Sequence, residues 1–105
     1  VSLALLLSPG QSKGSTRYAL EGVLDFQTVP RLLSAGERML AGEGPLDLDL
    51  AGVREANSAG LALLLEWIDL AGRHQRPLRL YNLPESLAKL AALANVGPLL
   101  PLADA

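Results

Sequence analysis

Residues 45–67 read "PLDLDLAGVREANSAGLALLLEW", and within them the hydrophobic period changes from two to about 3.6. Leu46, Leu48 and Leu50 alternate with Asp47 and Asp49, which predicts a strand with one face covered and the other partly wet. From Ser58 to Gln75 the apolar residues return every three or four positions, which predicts a helix. Between the two patterns lie Asn57, Ser58, Ala59 and Gly60, small residues of the kind that open helices. A strand feeding a helix over so short a link is the building unit of an α/β domain.

The same alternation continues on both sides of this unit. Upstream, Leu3, Leu5 and Leu7 alternate with Ser2, Ala4 and Leu6 as a first strand, and Ser8-Pro9-Gly10 through Gly14-Ser15 reads as a flexible turn. In "RYALEGVLD" (17–25), Tyr18, Leu20 and Leu24 share one face while Arg17, Ala19 and Glu21 share the other, so the first two strands form a hairpin. Thr28 is the expected N-cap of a first helix with Pro30 in its first turn. Val29, Leu32, Leu33, Gly36 and Leu40 keep the spacing of one helix face, and Gly42 and Gly44 stop it. Downstream, Pro77 precedes a short strand, "LRLY" (78–81). Asn82 and Glu85 then have N-cap and N3 spacing, with Pro84 inside the first turn of a third helix that runs to Asn95 and ends at Gly97. The closing "PLLPLADA" (98–105) is too short and proline-rich for another full element. The order β, β, α, β, α, β, α predicts one α/β domain over residues 1–105 with its later strands parallel.

Composition narrows the function classes. Half of the 105 residues are hydrophobic but only 4% are aromatic, so leucine, alanine and valine must build the core. A net charge of −2 leaves no basic stripe to neutralise phosphates, which argues against nucleic-acid binding. With no cysteine and a single histidine, His74, neither a disulfide framework nor a His/Cys metal site is expected. The opening "VSLALLLSPG" lacks a basic leader and its apolar run ends at Leu7, so it reads as a strand instead of a signal peptide. No apolar run approaches the roughly 20 residues that span a bilayer.

Few residues offer chemistry. Asp47 and Asp49 fit a solvated strand face better than a catalytic or metal-binding pair, having no His or Cys nearby in sequence. His74 and Arg73 suit the negative end of the second helix's dipole. No Walker loop, dinucleotide glycine fingerprint or serine-hydrolase elbow occurs, so no catalytic residue and no cofactor is assigned. The second helix is more informative. Leu61, Leu64, Leu65, Ile68 and Gly72 form the expected core stripe, while Leu63, Trp67 and Leu70 form a second apolar stripe on roughly the opposite side. Two readings of that second stripe stay open: cover by a neighbouring helix, or an exposed partner patch anchored by Trp67. Ser58 serves either as the cap of the second helix or as a phosphorylation position, since free amides and the helix dipole there favour a phosphate.

These residues resemble a known family. "LDLAGVREANSAGLALLL" (48–65) is similar to the signature of STAS domains, the modules of anti-sigma-factor antagonists and sulfate transporters. In that signature a strand ending Asp-Leu-Ser-Gly-Val leads to Asp-Ser-Ser-Gly-Leu at a helix start. Asp49-Leu50-Ala51-Gly52-Val53 and Asn57-Ser58-Ala59-Gly60-Leu61 stand in those places. Gly22-Val23-Leu24-Asp25 resembles the family's Gly-x-Leu-Asp, and Asn95-Val96-Gly97 through Leu99-Leu100-Pro101-Leu102 resembles its ending, so the likeness covers almost the whole chain. Within the family, Gly60-Leu61-Ala62-Leu63-Leu64 followed by Ile68-Asp69-Leu70-Ala71 is most similar to the MlaB subgroup, small STAS subunits of the Mla phospholipid transporter of Gram-negative bacteria.

The resemblance implies the STAS fold, a four-stranded, mostly parallel sheet packed with three or more helices. It also implies a non-enzymatic cytoplasmic subunit, held at the inner membrane through an ABC transporter's ATPase and permease, with no direct membrane insertion and no small-molecule ligand. By the same resemblance, such a subunit would support lipid traffic between inner and outer membranes, and hence outer-membrane lipid asymmetry. The implied partner surface is Asn57, Ser58 and the second helix's outer face with Leu63, Trp67 and Leu70, extended by Leu33. The family's other role is phosphorylation-controlled partner switching by anti-sigma-factor antagonists. There the phosphorylated serine is the second of the pair, which is Ala59 here, and the opening acid is Asn57. Ser58 matches the hydroxyl position of the MlaB subgroup, which carries threonine.

Overall fold

The computed structural model describes residues 4–7 and 16–103. Its elements are β1 (Ala4–Leu7), β2 (Thr16–Leu24), α1 (Val29–Leu40), β3 (Leu46–Ala56), α2 (Ser58–Arg73), β4 (Leu78–Tyr81) and α3 (Glu85–Leu93), followed by a 3-10 turn at Gly97–Leu99. The expected order is observed. Leu3 and the turn expected over Ser8–Ser15 lie outside the described residues. The sheet runs β1-β2-β3-β4, with β1 antiparallel to β2 and with β2, β3 and β4 mutually parallel. The hairpin and the parallel later strands are therefore as expected, in an α/β fold with three helices.

Leu46, Leu48 and Leu50 of β3 are buried together with Leu20 and Leu24 of β2 and Leu80 of β4. They form the sheet side of one core whose helical side includes Leu32, Leu40, Leu64 and Leu87. The opposite face is polar but less wet than the sequence indicates. Asp47 is 1% exposed, because Arg79 of the next strand lies over it and donates from Nε to Oδ1 at 3.0 Å. Asp49 stays half-buried and accepts from Arg17 at 3.5 Å, Asn82 at 2.9 Å and the Ala51 amide at 3.0 Å. The Arg17 guanidinium also stacks 4.4 Å from the Tyr81 ring centroid, a cation–π contact.

Several signature residues prove to be backbone devices. The β2–β3 register shifts between Ala19 and Glu21 and again between Gly22 and Val23, and Gly22 takes a φ of 113° that other residues resist. Gly52 pairs with Glu21, and a Cβ there would come within 2.6 Å of the Glu21 Cγ. Gly60 lets α2 settle on the sheet, since its Cβ would meet the Leu24 Cβ at 2.9 Å and the Ala56 Cβ at 3.2 Å.

The helix ends correct four expectations. Thr28 occupies the N-cap position of α1 without capping it. Its hydroxyl donates to the Val23 carbonyl at 2.7 Å and accepts from the Asp25 amide at 3.0 Å, while Asp25 Oδ1 takes the amides of Gln27 and Thr28. Asp25 is thus the acceptor that starts this turn. Asn82 does not cap α3: it sits at φ 58° with its amide turned to Asp49, and Pro84 is the N-cap residue. Both α2 and α3 stop two residues early, in left-handed Gln75 and Asn95. The pairs Gln75 N–H to Gly72, Arg76 N–H to Ala71, Asn95 N–H to Ala92 and Val96 N–H to Ala91 make two Schellman ends without glycine.

Two further contacts close the molecule. The buried Arg76 guanidinium donates to the carbonyls of Met39 (2.5 Å), Gly44 (2.9 Å) and Glu43 (3.2 Å), fixing the α1–β3 connection. Along β4, the Leu80 amide donates to Pro101 at 2.8 Å and its carbonyl accepts from Ala103 at 2.9 Å, so the chain's last described residues cover that sheet edge at Leu80.

Candidate functional site

The region singled out by the sequence lies where β3 hands over to α2. Asn57, extended at φ −112°, is the N-cap, and its Oδ1 accepts from the Ala59 amide at 2.9 Å. Its own amide is held by the Leu24 carbonyl at 3.0 Å. Ser58 is therefore the first helical residue instead of the cap. It is exposed, and among the described residues its hydroxyl takes no hydrogen-bond partner. Ala59 is buried. Beside Asn57, at the C-terminal ends of β2 and β3, lies a cleft of about 190 Å³ lined by Val23, Leu24, Asp25, Glu55, Ala56 and Asn57. Phe26, 70% exposed, follows Asp25 at the same end.

The second apolar stripe is resolved in favour of cover. Leu63 and Trp67 are each 1% exposed, which corrects their expected place on an outer face. The buried positions are Ala59, Gly60, Leu61, Leu63, Leu64, Trp67 and Ala71, while Leu65 and Ile68 are half-buried against the core, so Leu61 and Leu64 hold their expected places and the core stripe is wider than expected, shifted toward the side of Leu63 and Trp67. Gly72 leaves it and is exposed. The shift follows from α1, whose Gly36 faces the Trp67 indole so closely that an added Cβ would overlap Nε1, Cε2 and Cζ2. The indole N–H is buried there without a hydrogen-bond partner among the described residues.

What remains outside is a different stripe: Ser58, Ala62 and Glu66 are exposed and Leu70 is half-buried, at i, i+4, i+8, i+12. Across from it on α1 stand Leu33, 44% exposed, and Glu37. Leu33, Glu37, Ala62, Glu66, Trp67 and Leu70 line an open groove of about 460 Å³ between the two helices. Of the expected partner residues, Leu33, Leu70 and Trp67 thus meet at one groove, Trp67 only as its floor. Asn57 and Ser58 lie farther up α2, and Leu63 is in the core. Ala62 and Glu66 follow from counting fours from Ser58, a signal the sequence reading passes over. Glu37 carries no such signal, because nothing local says which α1 residue faces α2.

The Asp49 carboxyl is the perturbed acid of the sheet face. Burial by itself would raise its pKa, but hydrogen bonds from Asn82 and the Ala51 amide, with Arg17, hold it below the usual value. This is a structural role. His74 is the exposed C-cap of α2. Among the described residues no group of three or more His, Cys, Asp or Glu side chains is arranged to hold a metal ion, and no helix is long and apolar enough to cross a membrane.

A four-stranded sheet with helices on one face, whose family-signature residues set register, caps and close packing, defines a module of the STAS type. The family model described as "Mlab, STAS domain" matches residues 8–101, and the chain belongs to that STAS-domain family. No curated protein matches it significantly in sequence. Among solved structures it is similar to an anti-sigma factor antagonist from Mycobacterium paratuberculosis, with a TM-score of 0.79 and 22% identity over 96% of this chain and 85% of that one. It is also similar to the anti-sigma factor antagonist SpoIIAA in its unphosphorylated form (TM-score 0.68, 18% identity, 97% and 88% covered). The phosphorylated form of the Bacillus cell fate determinant SpoIIAA is comparable (0.70, 17%, 97% and 91%). At these identities the likeness is one of fold.

Proposed function

We propose that this chain is a non-enzymatic STAS subunit that binds and stabilises or activates the ATPase subunit of an Mla-type ABC transporter moving phospholipids between inner and outer membranes. It would act from the cytoplasmic side, peripheral to the inner membrane through that complex. The observation that carries this reading is the contrast at the start of α2. Ser58 offers an exposed hydroxyl, while the next position, where the sigma-factor regulators carry their phosphorylated serine, is a buried methyl group, Ala59. The family description, which names Mlab, is in keeping with this subgroup. The contact surface is Asn57, Ser58, Ala62, Glu66 and Leu70 with Leu33, a helix face of the kind that serves as a partner patch.

A second reading, an anti-sigma-factor antagonist working by phosphorylation-controlled partner switching, draws on the names of the similar structures. It also draws on the position of Ser58 in the first turn of α2, where a phosphate would be held by free amides. Purification of the tagged protein from its host, with mass spectrometry of what accompanies it, separates the two. The transporter reading expects an ABC ATPase; a kinase without one replaces it by the second. Ser58→Asp should weaken ATPase association by about tenfold or more through a misplaced interface charge. The fold should persist, because an acid in the first helical turn is favourable. Unchanged affinity would take Ser58 out of the interface.

A further inference from the structure

The groove between α1 and α2 has a chemistry of its own. Its floor is the Trp67 ring and its apolar walls are Leu33, Ala62 and Leu70. Each wall also carries one exposed carboxylate, Glu37 from α1 and Glu66 from α2, and neither forms a salt bridge among the described residues; Arg73, two turns along α2, feels the charge of Glu66 but is itself paired with Asp69. The cations of α1 do not balance them. At 100° per residue, Arg31 and Arg38 point about 100° or more away from Leu33 and Glu37 around the helix axis. Along α2 the groove runs from Ala62 to Leu70, which at 1.5 Å per residue is about 12 Å, or two helical turns.

We propose that this groove docks an amphipathic helix of the partner protein, about two turns long, whose apolar stripe is flanked on both sides by arginine or lysine. The inference rests on the reading of the α1–α2 face as the partner surface. An apolar trough alone would accept any greasy helix, and the paired carboxylates select among them: a helix with cations on both flanks meets one acid on each wall, whereas an acidic helix meets repulsion twice. The same two acids disfavour an anionic lipid head group.

Two synthetic peptides of about 15 residues, sharing one leucine stripe at i, i+3/i+4, i+7 spacing, test it. One is flanked by arginine and the other by glutamate, and both are titrated into the full chain. Trp67 is the only tryptophan and lies in the groove floor, so its emission reports occupancy. The arginine peptide is expected to shift the emission and to bind at least about tenfold more tightly than the glutamate peptide, with the advantage shrinking as salt rises. The double variant Glu37→Lys/Glu66→Lys, its fold checked by circular dichroism, should reverse the order.

Equal binding of the two peptides, or no reversal, overturns the proposal. So does an equal response to phosphatidylcholine vesicles, or a dimer in the absence of peptide that the double variant abolishes. Discrimination between the peptides without a co-purifying ATPase would retire the transporter reading alone; a co-purifying ATPase without discrimination would retire the groove chemistry alone.

Discussion

At Gly36 two preferences oppose each other. A glycine inside an exposed helix costs roughly 1 kcal/mol relative to alanine, yet here a methyl group would overlap the buried Trp67 indole. Overpacking of a fixed core costs typically about 1–3 kcal/mol, and neither α1's backbone nor the indole has a flexible end to yield. Gly36→Ala should therefore lower stability by about 1–2 kcal/mol, read from urea unfolding. In a Trp67→Leu background the same change should be neutral or stabilising, a sign reversal that a double-mutant cycle detects. An unchanged penalty in that background would mean that the indole is not what excludes the methyl. The same contact explains why Trp67 was hard to place from sequence. Its spacing with Leu63 and Leu70 is helical on any reading, and only the identity of its neighbour on α1 decides between core and surface.

At the scale of the elements, most of the architecture was legible because each strand and helix carries its own period. "LDLDL" names a half-covered strand, and Leu64 belongs to the core on any helical phase. The losses came at joints, where long-range contacts choose between local options. Thr28 and Asn82 are good N-cap residues by type, but Asp25 reaches the first amides of the α1 turn before Thr28 does, and Asp49 draws Asn82 toward the sheet. The α1–β3 joint depends on a residue more than thirty positions away. Arg76 satisfies three carbonyls there, and hydrogen bonds from a charged donor are the stronger kind. Arg76→Ala should cost about 2–3 kcal/mol and speed amide exchange in the last turn of α1. Arg76→Lys should recover less than half, because an ammonium group lacks the planar fork that reaches three acceptors. Full recovery by lysine would reduce the contact to charge alone.

For the molecule as a whole, the polar side of the sheet links β2, β3 and the β4–α3 turn through one carboxylate. Asp49 binds Arg17, the Ala51 amide and Asn82 more strongly as the carboxylate than as the neutral acid, and its folded pKa lies below the unfolded value of 3.8. The sign follows: its contribution to stability is complete above the unfolded pKa and is lost as the pH falls through the folded one. Unfolding midpoints measured from neutral pH down to about 2 should decline below pH 4, and Asp49→Asn should be less stable near neutrality with a shallower acid decline. Parallel curves for the two proteins would place the acid sensitivity elsewhere.

The covered edge of β4 bears on supply. A sheet grows by adding strands at a bare edge, but here one side is occupied by the chain's own Pro101–Ala103 segment and the other ends in the four-residue β1. Copies synthesised in excess of a partner would then have little means of polymerising through their sheets while the helical face stays open. In the proposed role, a cell could produce the chain ahead of its partner, without matching the two rates of synthesis.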